Sequence, residues 1–101
     1  MRVEVWLRSD LVRPRDGQVA PHRLAASWED AQSPGPVVAA ERAWQVCSHE
    51  YGSLSVEEQR WRVSFDESAR GQRLSVGDIV VVGDVALRCE PGGWSPTEGP
   101  G

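Results

Sequence analysis

Four consecutive β-branched residues, Ile79-Val80-Val81-Val82, stand just before a second apolar run, Val85-Ala86-Leu87-Arg88-Cys89, with only Gly83-Asp84 between them. A two-residue gap allows a tight hairpin, and a glycine in its first place favours a type II′ turn, whose twist matches that of the strands. In that register Val82 meets Val85 and Val80 meets Leu87 on one face, while Val81 meets Ala86 and Ile79 meets Arg88 on the other. The chain must therefore contain an antiparallel ribbon. Just upstream, Ser75-Val76-Gly77-Asp78 reads as its entry turn. Gly77 can take a positive φ, and the Asp78 carboxylate can accept bonds from nearby backbone N–H groups. Gly77, Asp78, Gly83 and Asp84 are thus expected as structural turn residues.

The rest of the chain has to build around that ribbon. Residues 2–8 alternate cleanly, with Val3, Val5 and Leu7 on one side and Glu4, Trp6 and Arg8 on the other, which predicts a half-buried strand. A loop with Pro14, Asp16, Gly17 and Pro21 follows. Leu24, Ala25, Trp28 and Ala31 recur at helical spacing and predict a short helix over 22–32, stopped at Pro34-Gly35-Pro36. The main helix is expected over 37–50, with Pro36 at its start. Val37, Ala40, Trp44, Cys47 and Tyr51 form its apolar stripe, Trp44 is read as core, and Gly52 is placed to end it. Ser55-Val56-Glu57-Glu58 has the form of a capping box opening a short turn. From Arg60 to Asp66 the period switches to two, with Trp61, Val63 and Phe65 on one face, predicting another strand. A link from Glu67 to Arg73 leads to the ribbon. Pro91-Gly92-Gly93 breaks its second strand, leaving Trp94 as a lone aromatic.

These elements sum to an α+β fold: a small, mostly antiparallel sheet of about four strands, packed by one main helix and a second short one. One domain is expected over 1–94, with a Pro/Gly-rich tail over 95–101. The 101 residues carry 11 basic and 15 acidic side chains, a net charge of −4. No apolar run exceeds four residues, and the first residues lack the apolar stretch of a secretory signal, so the expectation is a soluble cytoplasmic chain with no membrane partner. Every basic residue is Arg, and the chain has neither Lys nor Asn, the mark of a GC-rich genome. The five tryptophans read mainly as core-building groups, because a domain this small buries only roughly 60–65% of its chain surface.

Groups for catalysis are sparse. Cys47 and Cys89 show no metal-ligand spacing and read as buried thiols. The two histidines lie in no motif. Ser48-His49-Glu50 cannot form a triad within itself, because consecutive helical residues diverge by about 100°. No cofactor and no metal are expected. Arg60-Trp61-Arg62, with Arg73 nearby, suggests single-stranded nucleic acid held by stacking and arginine contacts. Against it, residues 51–101 hold 5 arginines and 8 carboxylates, whereas backbone binding needs a net basic face.

The segment Arg73-Leu74-Ser75-Val76-Gly77-Asp78-Ile79-Val80-Val81-Val82, followed by Cys89 and Gly93-Trp94, resembles the C-terminal signature of a family of small uncharacterised proteins. These come from actinobacteria, their phages and their conjugative elements. Ala40-Glu41-Arg42-Ala43-Trp44 is similar to an upstream helix of the same family, and a more distant likeness to YodL-like domains of mobile-element proteins exists. The resemblance implies a bacterial, mobile-element setting and no reaction. The chain departs from the pattern at Gln72 and at Pro91-Gly92-Gly93.

The function expected is therefore that of a non-enzymatic accessory domain that binds another protein. Single-stranded nucleic-acid binding through a sheet around Trp61 is the alternative. Trp94 and Trp6 are the candidate anchors, since exposed Trp is enriched at binding hot spots, although Trp94 can equally cap the open end of the core. Arg60, Arg62 and Arg73 are the candidate polar contacts. The partner is unidentified, and the chain is expected to be a monomer or, through an exposed edge strand, a homodimer.

Overall fold

A computed structural model describes residues 1–8 and 21–100. The elements run β1 (Arg2–Arg8), β2 (His22–Glu29), α1 (Pro36–Ser48), a short 3-10 turn (Tyr51–Ser53), α2 (Val56–Ala69), β3 (Ile79–Val82), β4 (Val85–Glu90) and β5 (Gly93–Pro96). The fold is α+β. Its five strands are all antiparallel, in the order β2-β1-β3-β4-β5. Both helices lie on one face of the sheet, α1 over β1, β3 and β4, and α2 over β2. Of the expected first loop, Pro14, Asp16 and Gly17 lie outside the described residues.

The apolar ribbon sets the centre of the sheet. Ile79 pairs with Arg88, Val80 with Leu87, Val81 with Ala86 and Val82 with Val85, the register expected from the sequence. Gly83 has φ 61°, the positive angle that a II′-type turn requires in its first place. Strand β1 docks on the free side of β3, where Val5 meets Val80 and Val3 meets Val82. Val3, Val5, Leu7 and Val80 are fully buried beneath the helices.

Several expectations are corrected. Residues 22–29 form β2 rather than a helix. The pairing with β1 slips between Val5 and Trp6, because Ala25 is bulged out of register. That bulge buries Ala25 and Ala26 in succession and then Trp28, a pattern that imitates helical spacing. Residues 60–66 form the middle of α2 rather than a strand. Trp61, Phe65 and Ala69 are buried four residues apart, and Val63 is exposed. The capping box that opens α2 is real: the Ser55 hydroxyl accepts from the Glu58 N–H, and the Glu58 carboxylate accepts from the Ser55 N–H. It starts a helix of 14 residues, not a short turn.

The stripe of α1 is the third correction. Its buried residues are Ala39, Ala40, Ala43, Val46 and Cys47, whereas Val37, Trp44 and Tyr51 are exposed. Three alanines let the helix axis approach the sheet closely, which turns bulky Trp44 outward to the flank. Gly52 does not end α1, which is capped at His49 with extended backbone; Gly52 lies in the 3-10 turn. Finally, the sheet continues past the expected boundary at 94, because Ser95 and Pro96 belong to β5. Pro91-Gly92 form its two-residue turn. Gly93, at φ 147°, holds an angle that L side chains rarely adopt.

Candidate functional site

Each flank of α1 carries two tryptophans, and the two flanks are differently furnished. On the α2 side, the rings of Trp28 and Trp61 stack at 4.9 Å and 5° between planes. The Arg42 guanidinium lies 4.7 Å over the Trp61 ring. It donates from Nε to Glu58 at 2.9 Å and from Nη1 to Asp30 at 3.0 Å. Asp30 also accepts from the N–H groups of Gln32 and Ser33 and from the Ser33 hydroxyl. Burial alone would raise the Asp30 carboxyl, but the Ser33 and Gln32 bonds and the Arg42 charge outweigh it and hold it below its ordinary value. Glu58 is held low against a similar burial effect by the Ser55 N–H, Arg42 and the Ser55 hydroxyl. This cluster ties β2, α1 and α2 together.

On the other flank an open cleft of about 470 Å³ separates α1 from the β4–β5 turn. Trp44 and Glu41 come from α1, Leu74 to Val76 from the segment before β3, and Cys89 to Trp94 from β4, its turn and β5. Trp44 is 39% exposed and Val76 is 47% exposed. Trp94 pairs with Cys89 across the ladder on the helix side of the sheet, half-buried against the core. Glu90 accepts at Oε1 from Arg88 and from the Ser95 hydroxyl. Those bonds, Ser95 first and Arg88 second, hold its carboxyl below the ordinary value. Among the described residues, neither an arginine nor a histidine lines the cleft.

The cleft offers shape and aromatic surface rather than reactivity. Cys89, its one thiol, is buried; burial and then the charges of Asp78, Glu90 and Glu41 raise its pKa and disfavour the nucleophilic thiolate. Cys47 is fully buried, and burial pushes its thiol far up. His49 is exposed and meets the Trp44 ring edge-on at 5.5 Å. Among the described residues, no group of three or more His, Cys, Asp and Glu side chains could hold a metal ion.

The other sequence-derived candidates are scattered. Trp6 projects from the opposite face of the sheet, half-buried, with its indole N–H donating to Glu4 at 3.4 Å. Arg62 is engaged internally: it binds Asp66 at 2.9 Å and donates to the carbonyls of Val46 and His49 at the end of α1. Arg60 is exposed on α2, and Arg73 is exposed beyond its end. Trp61 lies in the buried stack. The sheet-borne Arg-Trp-Arg surface expected for nucleic acid is therefore absent from these residues.

The turn residues before β3 join two interior strands of the sheet. Asp78, 1% exposed, accepts from the N–H groups of Arg8 and Ser75, both at 2.8 Å, joining the end of β1 to the entry of β3. Burial dominates these bonds and raises its carboxyl above the ordinary value. Gly77, at φ 93°, accepts at its carbonyl from His22 at 3.0 Å when the ring carries its proton on Nε2. Asp84 is exposed in the hairpin turn.

Trp94 is thus the candidate that lines the cleft, and the reading of Trp44 as core missed its principal neighbour. The usable signal was the run Ala39, Ala40 and Ala43, three small residues marking the face that meets the sheet. No protein-family model, no curated protein and no solved structure matches the chain. No helix of the described residues is long and apolar enough to cross a membrane.

Proposed function

We propose that the protein is a non-enzymatic binding module that recognises another protein through the cleft between α1 and the β4–β5 turn. The observation that carries this reading is Trp44, a large aromatic left 39% exposed at the wall of a cleft that also takes in Trp94. Leaving an indole in water forgoes burial that a partner would supply, and tryptophan dominates binding hot spots. Two buried thiols with raised pKa values favour a binding role over a catalytic one. The proposed setting is the bacterial cytoplasm, among products of mobile elements and phages, as a monomer or homodimer; it rests on the resemblance carried by Arg73–Val82 and Gly93-Trp94.

Paired capture from a lysate of the source organism tests the reading. Partners retained by the native chain and by Trp6→Ala should be lost with Trp44→Ala. Equal capture by the native chain and Trp44→Ala would remove the cleft from the binding surface. Single-stranded DNA at low salt serves as the control, and it should leave the indole NMR signals of Trp44 and Trp94 unmoved.

A further inference from the structure

We infer that the sheet face turned away from the helices is a dimer interface, on which a second copy of the chain packs face to face. The argument begins with β3. An antiparallel strand with one face in water alternates apolar with polar residues, as β1 does. Ile79-Val80-Val81-Val82 does not: Val80 and Val82 lie in the core beneath the helices, so Ile79 and Val81 point to the other side. The register carries that apolar surface across four strands. Leu24 of β2, Trp6 of β1 and Ile79 of β3 stand in one row, and Val81 of β3 and Ala86 of β4 in the next. Ile79, between Trp6 and Arg88, is 3% exposed, Leu24 is 43% exposed, and Trp6, Val81 and Ala86 are half-buried. Among the described residues, no helix covers this face.

Charge and area point to a second copy as the occupant. The chain carries a net charge of −4, so two copies repel unless they meet on a surface free of that excess. This face is such a surface, because its charges are matched within the chain. Arg2 pairs with Glu4 at 3.4 Å and Arg88 with Glu90 at 2.7 Å. Glu29 lies 3.4 Å from the N-terminal ammonium, and Arg8 lies 4.0 Å from Asp78. A strongly charged partner such as a nucleic acid gains little there, whereas an apolar strip rimmed by settled ion pairs gains from apolar cover. Five strands of four to eight residues span about 24 Å by 20 Å. Two such faces bury roughly 1,000 Å² or more in all, the area that a specific interface needs. A two-fold axis lets each copy supply the layer that the other lacks.

Sedimentation equilibrium of the full chain tests this, with the indole NMR spectrum as the check of folding. The native chain should be dimeric at about 100 μM and dissociate on dilution, and the Trp6 indole signal should follow that change. Leu24→Arg and Ala86→Arg place a charge on β2 and on β4 within the interface, and each should weaken the dimer about a hundredfold or more. Val63→Arg makes the same kind of change at an exposed site on α2 and should leave the dimer as it is. A native chain that stays monomeric at about 1 mM overturns the inference. A dimer that survives Ala86→Arg but not Leu24→Arg overturns it too, since that pattern joins the β2 edges instead. The same holds for a dimer that survives both variants or is lost in Val63→Arg, because the contact then lies elsewhere. Should Ala86→Arg lose the dispersed spectrum, Val81→Lys on the interior strand β3 takes its place.

Discussion

The two flanks of α1 begin from the same materials and end in opposite states. Toward α2, Trp28, Trp61, Asp30, Glu58 and Arg42 close on one another, and the assembly is part of the core. Toward β5, Trp44, Trp94 and Glu41 border open space. The pairing of charges distinguishes the flanks: Arg42 bridges both carboxylates of the first, whereas Glu90 is paired with Arg88 across the far face of the sheet. An arginine stacked on an indole neutralises adjacent carboxylates and lets the aromatics bury; on the other flank the Trp44 ring stays 39% exposed. Similar residue types thus serve stability on one side of a helix and, in the function proposed above, recognition on the other.

The comparison can be broken by substitution, and the sharpest cut is Trp61→Ala. It removes a buried ring, the partner of Trp28 and the seat of Arg42, and should cost about 3–5 kcal/mol in denaturant unfolding. Arg42→Ala comes next, at about 2–4 kcal/mol, because it leaves Asp30 and Glu58 as partly buried carboxylates without their cation.

The acid limb of stability sharpens the contrast further. Asp30 and Glu58 sit below their ordinary values when folded, so the stability they contribute is complete above those ordinary values and is lost as pH falls through the lower folded ones. Asp78 acts with the opposite sign: its contribution is full at low pH and diminishes as pH rises through its raised value. Unfolding curves across the acid range should therefore show a shallower acid loss in Arg42→Ala than in the native chain. An unchanged slope would mean that Arg42 does not hold the two carboxyls low. The smallest effect is expected from Trp44→Ala, within about 1 kcal/mol of the native stability, since that ring lies at the surface. A cost as large as that of Trp61→Ala would erase the distinction between the flanks.

The fold was legible where a pattern had one physical reading. Val3, Val5 and Leu7 alternate without interruption, and Gly83-Asp84 permits one kind of connection, so β1 and the β3–β4 ribbon follow directly. Pro36 likewise marks the start of α1. Residues 22–29 misled because the bulge at Ala25 is a property of pairing with β1, which no local spacing reveals. Residues 60–66 misled because Trp61, Val63 and Phe65 satisfy alternation as well as Trp61 and Phe65 satisfy a helical turn. The Ser55–Glu58 capping box is the local feature that marks this stretch as helix. In the cleft, Trp94 stood out as an aromatic after a glycine turn. Trp44 did not, because hydrophobic size suggests burial, whereas the closeness of helix to sheet is set by the smallest residues on the helix.

The position of β1 inside the sheet, between β2 and β3, has a consequence for how the protein is made. Val5 pairs on one side with Ala26 but on the other with Val80, so one edge of β1 has no native partner until β3 has been synthesised. At ordinary elongation rates that interval is roughly 4–15 s. During it, the nascent chain presents Val3, Val5 and Leu7 on a strand with an open hydrogen-bonding edge, the kind of surface to which chaperones bind and through which nascent chains join one another. Closure by the late ribbon is thus a non-local pairing, whose loop-closure entropy must be met before its contacts form.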